Sequence, residues 1–176
     1  QLWATTIPSY LETFPTHMGE WAGGRGAPVR HVIEFNDGAG PIRFEVEFMA
    51  FGDDVIASLR GLQTTDIWIN ETDTVPVEAL TAGIRRIDRH PGARHLVGYP
   101  PEMQGYGQIV CDFNAPDEDN WTFRVFHDAE ERSRMAELMT QAMQAEAQKQ
   151  GDTSRSRPVR IEFYNQPGYG QPGCEN

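Results

Sequence analysis

"DIWINETD", residues 66–73, carries a short apolar run, Ile67–Ile69, that stops abruptly on an amide and a carboxylate, Asn70 and Glu71. An apolar run without polar interruption is typical of a central strand that is covered on both faces. We therefore predict a buried strand at this position, followed directly by polar side chains.

A second apolar run ends in the same way. "GQIVCDF", residues 107–113, closes on Asp112, and Asn114 follows directly after it. In open α/β sheets, ligand sites form beyond the carboxyl ends of the strands. If the two strands are neighbours, we expect Glu71, Asp112 and Asn114 to converge on one crevice. Nucleotide hydrolysis needs such a set, in which one group serves a hydrated Mg²⁺, a carboxylate orients water and a third senses the γ-phosphate.

The remaining segments alternate between helix and strand patterns. "VRHVIEF" at 29–35 and "IRFEVEF" at 42–48 have apolar residues at every second position, which predicts an antiparallel hairpin. Buried strands that alternate with helices favour an α/β fold with a mainly parallel sheet, and the length suits a single domain over 1–176. The other predicted elements are helices within 53–61, 75–88, 119–128 and 129–150, and a last strand at 159–165.

The glycine-rich stretch "MGEWAGGRGAP", residues 18–28, lacks the Lys-Ser/Thr ending of a phosphate-binding loop. We predict a mobile surface loop there. His31 lies on the apolar face of its alternating run, so we interpret it as a strand residue rather than a metal ligand.

Charge and composition exclude several classes of protein. The net charge of −11 argues against a uniformly basic nucleic-acid clamp. No segment approaches the ~20 consecutive apolar residues that a membrane-spanning helix needs. With only Cys111 and Cys174 present, we expect two free thiols in a reducing cytosol. One basic cluster runs from Arg85 to His95, and we interpret it as a solvated helix end or as a source of cations for a site.

The acidic stretch "DFNAPDED", residues 112–119, has two alternative interpretations. It begins like a calcium-binding loop but lacks the Gly and Glu that such a loop requires at its sixth and twelfth positions, so a cap-rich turn is favoured. A metal-dependent nuclease built on Asp112, Asp117 and Asp119 is a further alternative. The sequence contains no HExxH, CxxC or GxGxxG motif.

Several stretches, in this order, resemble the ATPase domain of phage terminase large subunits, the motors that package DNA into capsids. "QLWATTIPSYLETFP" is similar to the helix after the family's Walker A motif, and "SLRG" followed by "DIWINE" is similar to its Arg-Gly element and Walker B strand. "IRRIDRHPG" resembles the helix beyond Walker B. "GQIVCDFNAPDEDNW" resembles the coupling motif with its strand, and "EFYNQPG" the passage toward the linker.

The resemblance implies a role for each matching residue. Glu71 would be the catalytic carboxylate that orients water, and Arg60 an arginine finger that reaches the ATP of a neighbouring subunit. Asn70 stands where many relatives have the Mg²⁺-associated Asp, and would reach the ion through water. Asp112 and Asn114 would belong to the coupling motif, which links the state of the γ-phosphate to movement of the DNA-gripping part.

The resemblance also implies a P-loop NTPase-like fold of the ASCE class, with helices flanking the sheet, and ATP and Mg²⁺ as cofactors. The expected partners are double-stranded DNA, a portal protein, a small terminase subunit and further copies in a homo-oligomeric ring, in the host cytoplasm and without membrane contact. The family's Walker A would lie before Gln1 and its nuclease domain after Asn176, so we interpret the chain as an incomplete domain that binds ATP poorly alone. The alternative is a non-catalytic assembly module with the same fold.

Overall fold

The computed structural model describes residues 2–52, 54–90, 97–100, 107–151 and 157–165. The chain forms two compact units, Gln1–Asp53 and Asp54–Asn176. Each unit has its own sheet, so the two are described separately.

The first unit is a three-stranded antiparallel sheet with the strand order β1-β2-β3. A π-helical turn over Leu2–Thr6 leads into the first helix, and a 3-10 turn over Thr16–Met18 precedes the sheet. The predicted hairpin is confirmed, since β2 and β3 pair along their length. The elements are α1 (Ile7–Thr13), β1 (Gly19–Gly24), β2 (Ala27–Asn36) and β3 (Pro41–Phe48).

The core of this unit lies along the central strand. Val29, His31 and Ile33 alternate on one face of β2 and are almost completely buried, as the period-two pattern predicts. Tyr10 of α1 places its hydroxyl 3.0 Å from Nδ1 of His31. Phe35 continues the same face but is 46% exposed, because it lies at the end of the strand. His31 is thus a core residue of a strand, as expected.

The prediction of a mobile loop at 18–28 is wrong, because most of this stretch forms β1. The sequence did not predict this strand, because its glycines carry no side chains that could form an apolar pattern. They are needed for close backbone contact: a Cβ at Gly19 would lie 2.0 Å from the carbonyl oxygen of Val32, and one at Gly23 would lie 1.9 Å from that of Pro28. Glycine allows the strand backbones to approach this closely.

The second unit contains a two-stranded parallel sheet and most of the helices. A mixed α/β fold is therefore confirmed, but in the described part of the chain parallel pairing is confined to β4 and β5 and the larger sheet is antiparallel. The P-loop NTPase-like topology stays a prediction. The elements are α2 (Val55–Ser58), β4 (Ile67–Ile69), α3 (Glu78–Gly83), β5 (Ile109–Cys111), α4 (Trp121–His127) and α5 (Ala129–Gln150), with a 3-10 turn at Thr72–Thr74.

The small parallel sheet is covered on one face. A Cβ at Gly83 of α3 would lie 3.2 Å from Cδ1 of Ile109 and 3.5 Å from Cδ1 of Ile67, so these side chains pack under that helix. On the other face Trp68 is 66% exposed and Val110 is 47% exposed. The prediction of a strand covered on both faces is therefore wrong for the described residues, although the apolar run itself is a strand.

Side chains at the helix ends account for where most helices begin. Asp128 caps the start of α5 by accepting hydrogen bonds from the backbone N–H groups of Glu130 and Glu131. Asp54 caps α2 by accepting a hydrogen bond from the backbone N–H of Ala57. Among the described residues, no helix is both long enough and apolar enough to cross a membrane.

The last predicted strand, 159–165, is not a strand. Its backbone bonds to a helix instead, because the N–H of Val159 donates to Oγ1 of Thr140 on α5 at 2.9 Å. Phe163 stacks on Phe126 of α4 with ring centroids 5.0 Å apart. The segment therefore lines the helices α4 and α5.

Candidate functional site

The two strands that end on polar residues are parallel neighbours. Ile69 pairs with Cys111 as the last residue of each strand. Beyond that pair, the N–H of Asp112 donates to the carbonyl oxygen of Ile69 at 3.2 Å, and the N–H of Thr72 donates to the carbonyl oxygen of Asp112 at 2.9 Å. The expected adjacency of the strands is confirmed, and it brings the segments that carry Glu71 and Asp112 to one edge of the sheet.

The backbone of Glu71 has a left-handed conformation, with φ 54° and ψ 53°. A residue with a Cβ rarely adopts this conformation, because the Cβ approaches the following carbonyl oxygen. Glu71 is half-buried and directly precedes the 3-10 turn Thr72–Thr74. Strained backbone of this kind is held in place by its surroundings and is concentrated at functional positions.

Thr72 fixes the chain directly after Glu71. Its side chain is fully buried, and its hydroxyl donates to the carbonyl oxygen of Ile69 at 2.8 Å. Burial raises the pKa of the neighbouring Cys111 thiol; a hydrogen bond with Thr72 opposes this shift and the charge of Asp112 adds to it. Cys111 is therefore a neutral, free thiol of the sheet, and Cys174 lies outside the described residues.

Asp112 is held by a side chain from the neighbouring strand. Nε1–H of Trp68 donates to Oδ1 of Asp112 at 2.6 Å. Trp68 pairs with Val110 across the strands, so Asp112 is its diagonal neighbour on the same face. The bond fixes one carboxylate oxygen of Asp112 at an exposed position.

The turn after Glu71 is held by the start of α4. Nδ2–H of Asn120 donates to the carbonyl oxygen of Asp73 at 2.9 Å, and Nε1–H of Trp121 donates to the carbonyl oxygen of Val75 at 2.8 Å. Sequence reasoning identified a cap-rich turn before this helix but missed the role of Asn120 and Trp121. Hydrogen bonds from side chains to distant backbone carbonyls leave no periodic pattern in the sequence, so the sequence could not indicate these two contacts.

Besides Glu71 and Asp112, the other residues with predicted roles are exposed. Asn70 and Asn114 are exposed, each after its strand. Arg60 is exposed, ends the turn of α2 and lies on the connection that enters β4, whereas Glu71 lies on the connection that leaves it. The described ion pairs do not include Arg60, and its role as an arginine finger stays a prediction.

One cation of the basic cluster is engaged in an ion pair within the second unit. Arg89 forms an ion pair with Glu146 of α5 at 2.9 Å, and its side chain is 11% exposed. Burial disfavours ionisation of Glu146, but hydrogen bonds from Arg89 and Gln150, together with the charges of Arg89 and Lys149, lower its pKa overall. Arg89 therefore supports the packing of α5, while Arg94 and His95 lie outside the described residues.

The described residues do not bring together three or more His, Cys, Asp or Glu side chains that could hold a metal ion. The calcium-loop and nuclease interpretations of 112–119 thus gain no support. Asn70 and Asp112 offer an amide and a carboxylate oxygen after the two strands, which are donors of the kind that a hydrated Mg²⁺ ion takes. Such an ion needs only one or two protein ligands.

Comparisons of the chain with models of protein families, with curated proteins and with solved structures gave no match.

Proposed function

We propose that the chain is part of a terminase large subunit, a phage DNA-packaging motor in which ATP hydrolysis drives DNA into the capsid. One observation carries the proposal: β4 and β5 are parallel neighbours, and the segments bearing Glu71 and Asp112 are hydrogen-bonded to each other beyond their last pair. A nucleotide-hydrolysing site requires this juxtaposition of strand ends.

The proposed reaction transfers the γ-phosphoryl group of ATP to water. Glu71 orients the water and accepts its proton as the water oxygen attacks the γ-phosphorus. The bond from phosphorus to the bridging oxygen breaks, its electron pair stays with ADP, and inorganic phosphate is released. Asp112 and Asn114, on the neighbouring strand, sense whether the γ-phosphate is present.

The phosphate-binding loop is not among the described elements. The single lysine of the chain, Lys149, lies in the last turn of α5 and not in a glycine-rich loop. We further propose that Arg60, which is exposed, serves ATP in a neighbouring subunit of a ring. Such a motor would work on double-stranded DNA with a portal protein and a small terminase subunit, in the host cytoplasm.

The decisive experiment compares Glu71→Gln with Glu137→Gln in the full-length protein. The first change keeps the shape of the side chain but removes the proton acceptor, so kcat for ATP hydrolysis should fall at least about 100-fold. The second is the same change at an exposed position in the middle of α5 and should leave kcat unaltered. Undiminished turnover in Glu71→Gln would overturn the assignment.

A second experiment uses the 176-residue chain by itself. Because the cradle of backbone N–H groups and lysine is missing, ATP should bind too weakly for calorimetry at micromolar concentrations. Micromolar affinity would contradict this part of the proposal.

A second candidate, a non-catalytic assembly module of the same fold, is favoured by one observation. Asn70 provides a neutral amide where the resemblance places a metal-associated carboxylate, and an amide is a weaker partner for Mg²⁺. Absence of ATP turnover in a full-length protein that still assembles into rings would favour this candidate over the motor.

A further inference from the structure

We propose that Asn120 and Trp121 are positioning residues that clamp the turn bearing Glu71, and that α4 thereby sets the geometry of the catalytic carboxylate. This inference rests on the proposed ATPase function and concerns how the same site is held.

The clamp consists of two hydrogen bonds from adjacent residues to one short turn. Asn120 binds the carbonyl oxygen of Asp73 at 2.9 Å, and Trp121 binds that of Val75 at 2.8 Å. The two carbonyls belong to the segment that begins two residues after Glu71. Two bonds spaced in this way fix the position and the direction of the turn, whereas a single bond would allow it to rotate.

The amide of Asn120 is itself held in one orientation. Its Oδ1 accepts from the backbone N–H of Thr122 at 3.0 Å and from the hydroxyl of Thr122 at 2.8 Å. Thr122 is fully buried. Because Oδ1 caps the start of α4, Nδ2 is directed at Asp73, and the amide bridges the helix and the turn.

The clamp matters because Glu71 has a left-handed backbone conformation. A residue with a Cβ stays in this conformation only where its surroundings determine it on both sides. Thr72 holds the chain to both strands through the carbonyls of Ile69 and Asp112. The clamp holds the following residues, so that the turn cannot relax to a conformation that a glutamate prefers.

The same helix also contacts the second strand end. Phe126 of α4 stacks on Phe113, which lies between Asp112 and Asn114, with ring centroids 5.0 Å apart. Helix α4 therefore contacts both segments of the proposed site, one through hydrogen bonds and the other through a ring stack. A displacement of α4 would move both, and a misplacement of about 1 Å at a reacting group can cost about 100-fold in rate.

Two conservative substitutions test the clamp in the full-length protein. Asn120→Asp keeps the oxygen that caps α4 but removes the N–H that reaches Asp73. Trp121→Phe keeps an aromatic ring but removes the N–H that reaches Val75. Each should lower kcat for ATP hydrolysis about 10-fold and leave KM within about twofold, as expected when positioning of a reacting group is lost but ground-state binding is kept.

Thr140→Val is the matched control, because it also removes a hydrogen bond between a side chain and a distant backbone group in the same unit. It should leave kcat unchanged. A second readout uses the 176-residue chain: amide hydrogen exchange of Thr74 and Val75, whose N–H groups close the turn on Glu71 and Thr72, should accelerate in Trp121→Phe and stay unchanged in Thr140→Val.

The outcomes separate this inference from the proposed function. If Glu71→Gln is inactive while Asn120→Asp and Trp121→Phe retain full kcat, the clamp is refuted and the ATPase assignment stands. If the clamp variants and Thr140→Val lose kcat equally, the effect is general destabilisation and the clamp is again refuted. If wild type has no turnover, or Glu71→Gln retains it, the proposed function fails and the clamp with it.

Discussion

The sheet of the first unit and the sheet of the second differ in length, pairing and exposure. Strand β2 runs over ten residues and pairs with an antiparallel neighbour on each side. Strands β4 and β5 run over three residues each and, within the described residues, pair in parallel with each other and with no further strand. The long sheet buries its central residues almost completely, whereas the short sheet exposes Trp68 and Val110 on one face.

The difference separates two uses of a strand. In the long sheet, the residues with the tightest packing, such as Ile33 and His31, lie in the middle of the strand and stabilise the unit. In the short sheet, the residues of interest lie just beyond the strands, where Glu71 has a strained backbone and Asp112 is fixed by Trp68. Five predictions test this contrast.

The largest effect is expected from Gly23→Ala in β1. The new Cβ would lie 1.9 Å from the carbonyl oxygen of Pro28 at a residue with φ +90°. The strand must shift, so the free energy of unfolding should fall by about 2–4 kcal/mol. Gly24→Ala, at the next residue with nothing within 4 Å, is the control and should cost well under half as much. Urea denaturation checks both, and equal losses would show that β1 is not tightly registered.

One substitution at two positions compares the sheets directly. Val29→Ala removes two methyl groups from a side chain that is 1% exposed in β2, and should cost about 1.5–3 kcal/mol of unfolding free energy. Val110→Ala removes the same groups from a side chain that is 47% exposed in β5, and should cost less than about 1 kcal/mol. A larger loss at Val110, measured by urea denaturation, would reverse the comparison.

Tyr10→Phe tests the polar contact inside the long sheet's core. Nε2 of His31 has no hydrogen-bond partner among the described residues, so the Tyr10 hydroxyl is the contact that satisfies the ring. Its loss should cost about 1–2 kcal/mol. Tyr164→Phe, at a side chain that is 81% exposed, is the control.

The same substitution should change the stability of the protein in alkali. Burial raises the pKa of Tyr10 above its ordinary value of 10.0. The folded state therefore holds this proton more tightly, and wild type loses stability as the pH rises above about 10. Tyr10→Phe should lose less between pH 9 and pH 11 by thermal unfolding. An identical alkaline slope in both proteins would contradict the assignment.

The smallest effect concerns acid stability in the second unit. The pKa of Glu146 is lowered below its ordinary value of 4.5, so its ion pair with Arg89 stabilises the fold above that pH and the contribution is lost as the pH falls through the folded-state pKa. Glu146→Gln should cost about 1 kcal/mol at pH 7 and much less at pH 3. Glu137→Gln, at an exposed residue of α5, is the control and should cost well under about 1 kcal/mol at pH 7.

The long sheet could be predicted where its sequence alternates. In β2 and β3 one face is apolar at every second residue, and the structure buries Val29, His31 and Ile33 on that face. Strand β1 escaped prediction because glycine contributes to backbone packing without an apolar side chain. The glycines are necessary because the backbone of the partner strand lies so close. The sequence of β1 alone does not reveal which segment that partner is.

The candidate site could be predicted in part. Apolar runs that end on Glu71 and Asp112 indicated two strands and the edge where they meet. The run at Ile67–Ile69 could not reveal that Trp68 is exposed, since an apolar residue is compatible with either face. The clamp by Asn120 and Trp121 escaped as well, because its acceptors are backbone carbonyls, which every residue carries.

The left-handed backbone of Glu71 has a consequence for how this chain can evolve or be engineered. Glycine is at ease in that conformation, and the glutamate costs about 1–2 kcal/mol by comparison. Selection for stability alone would thus favour glycine at this position, and under the proposed function the protein would then lack the group that orients water. Retention of an acidic side chain at this strained position in related chains would therefore support the catalytic role that we propose for Glu71.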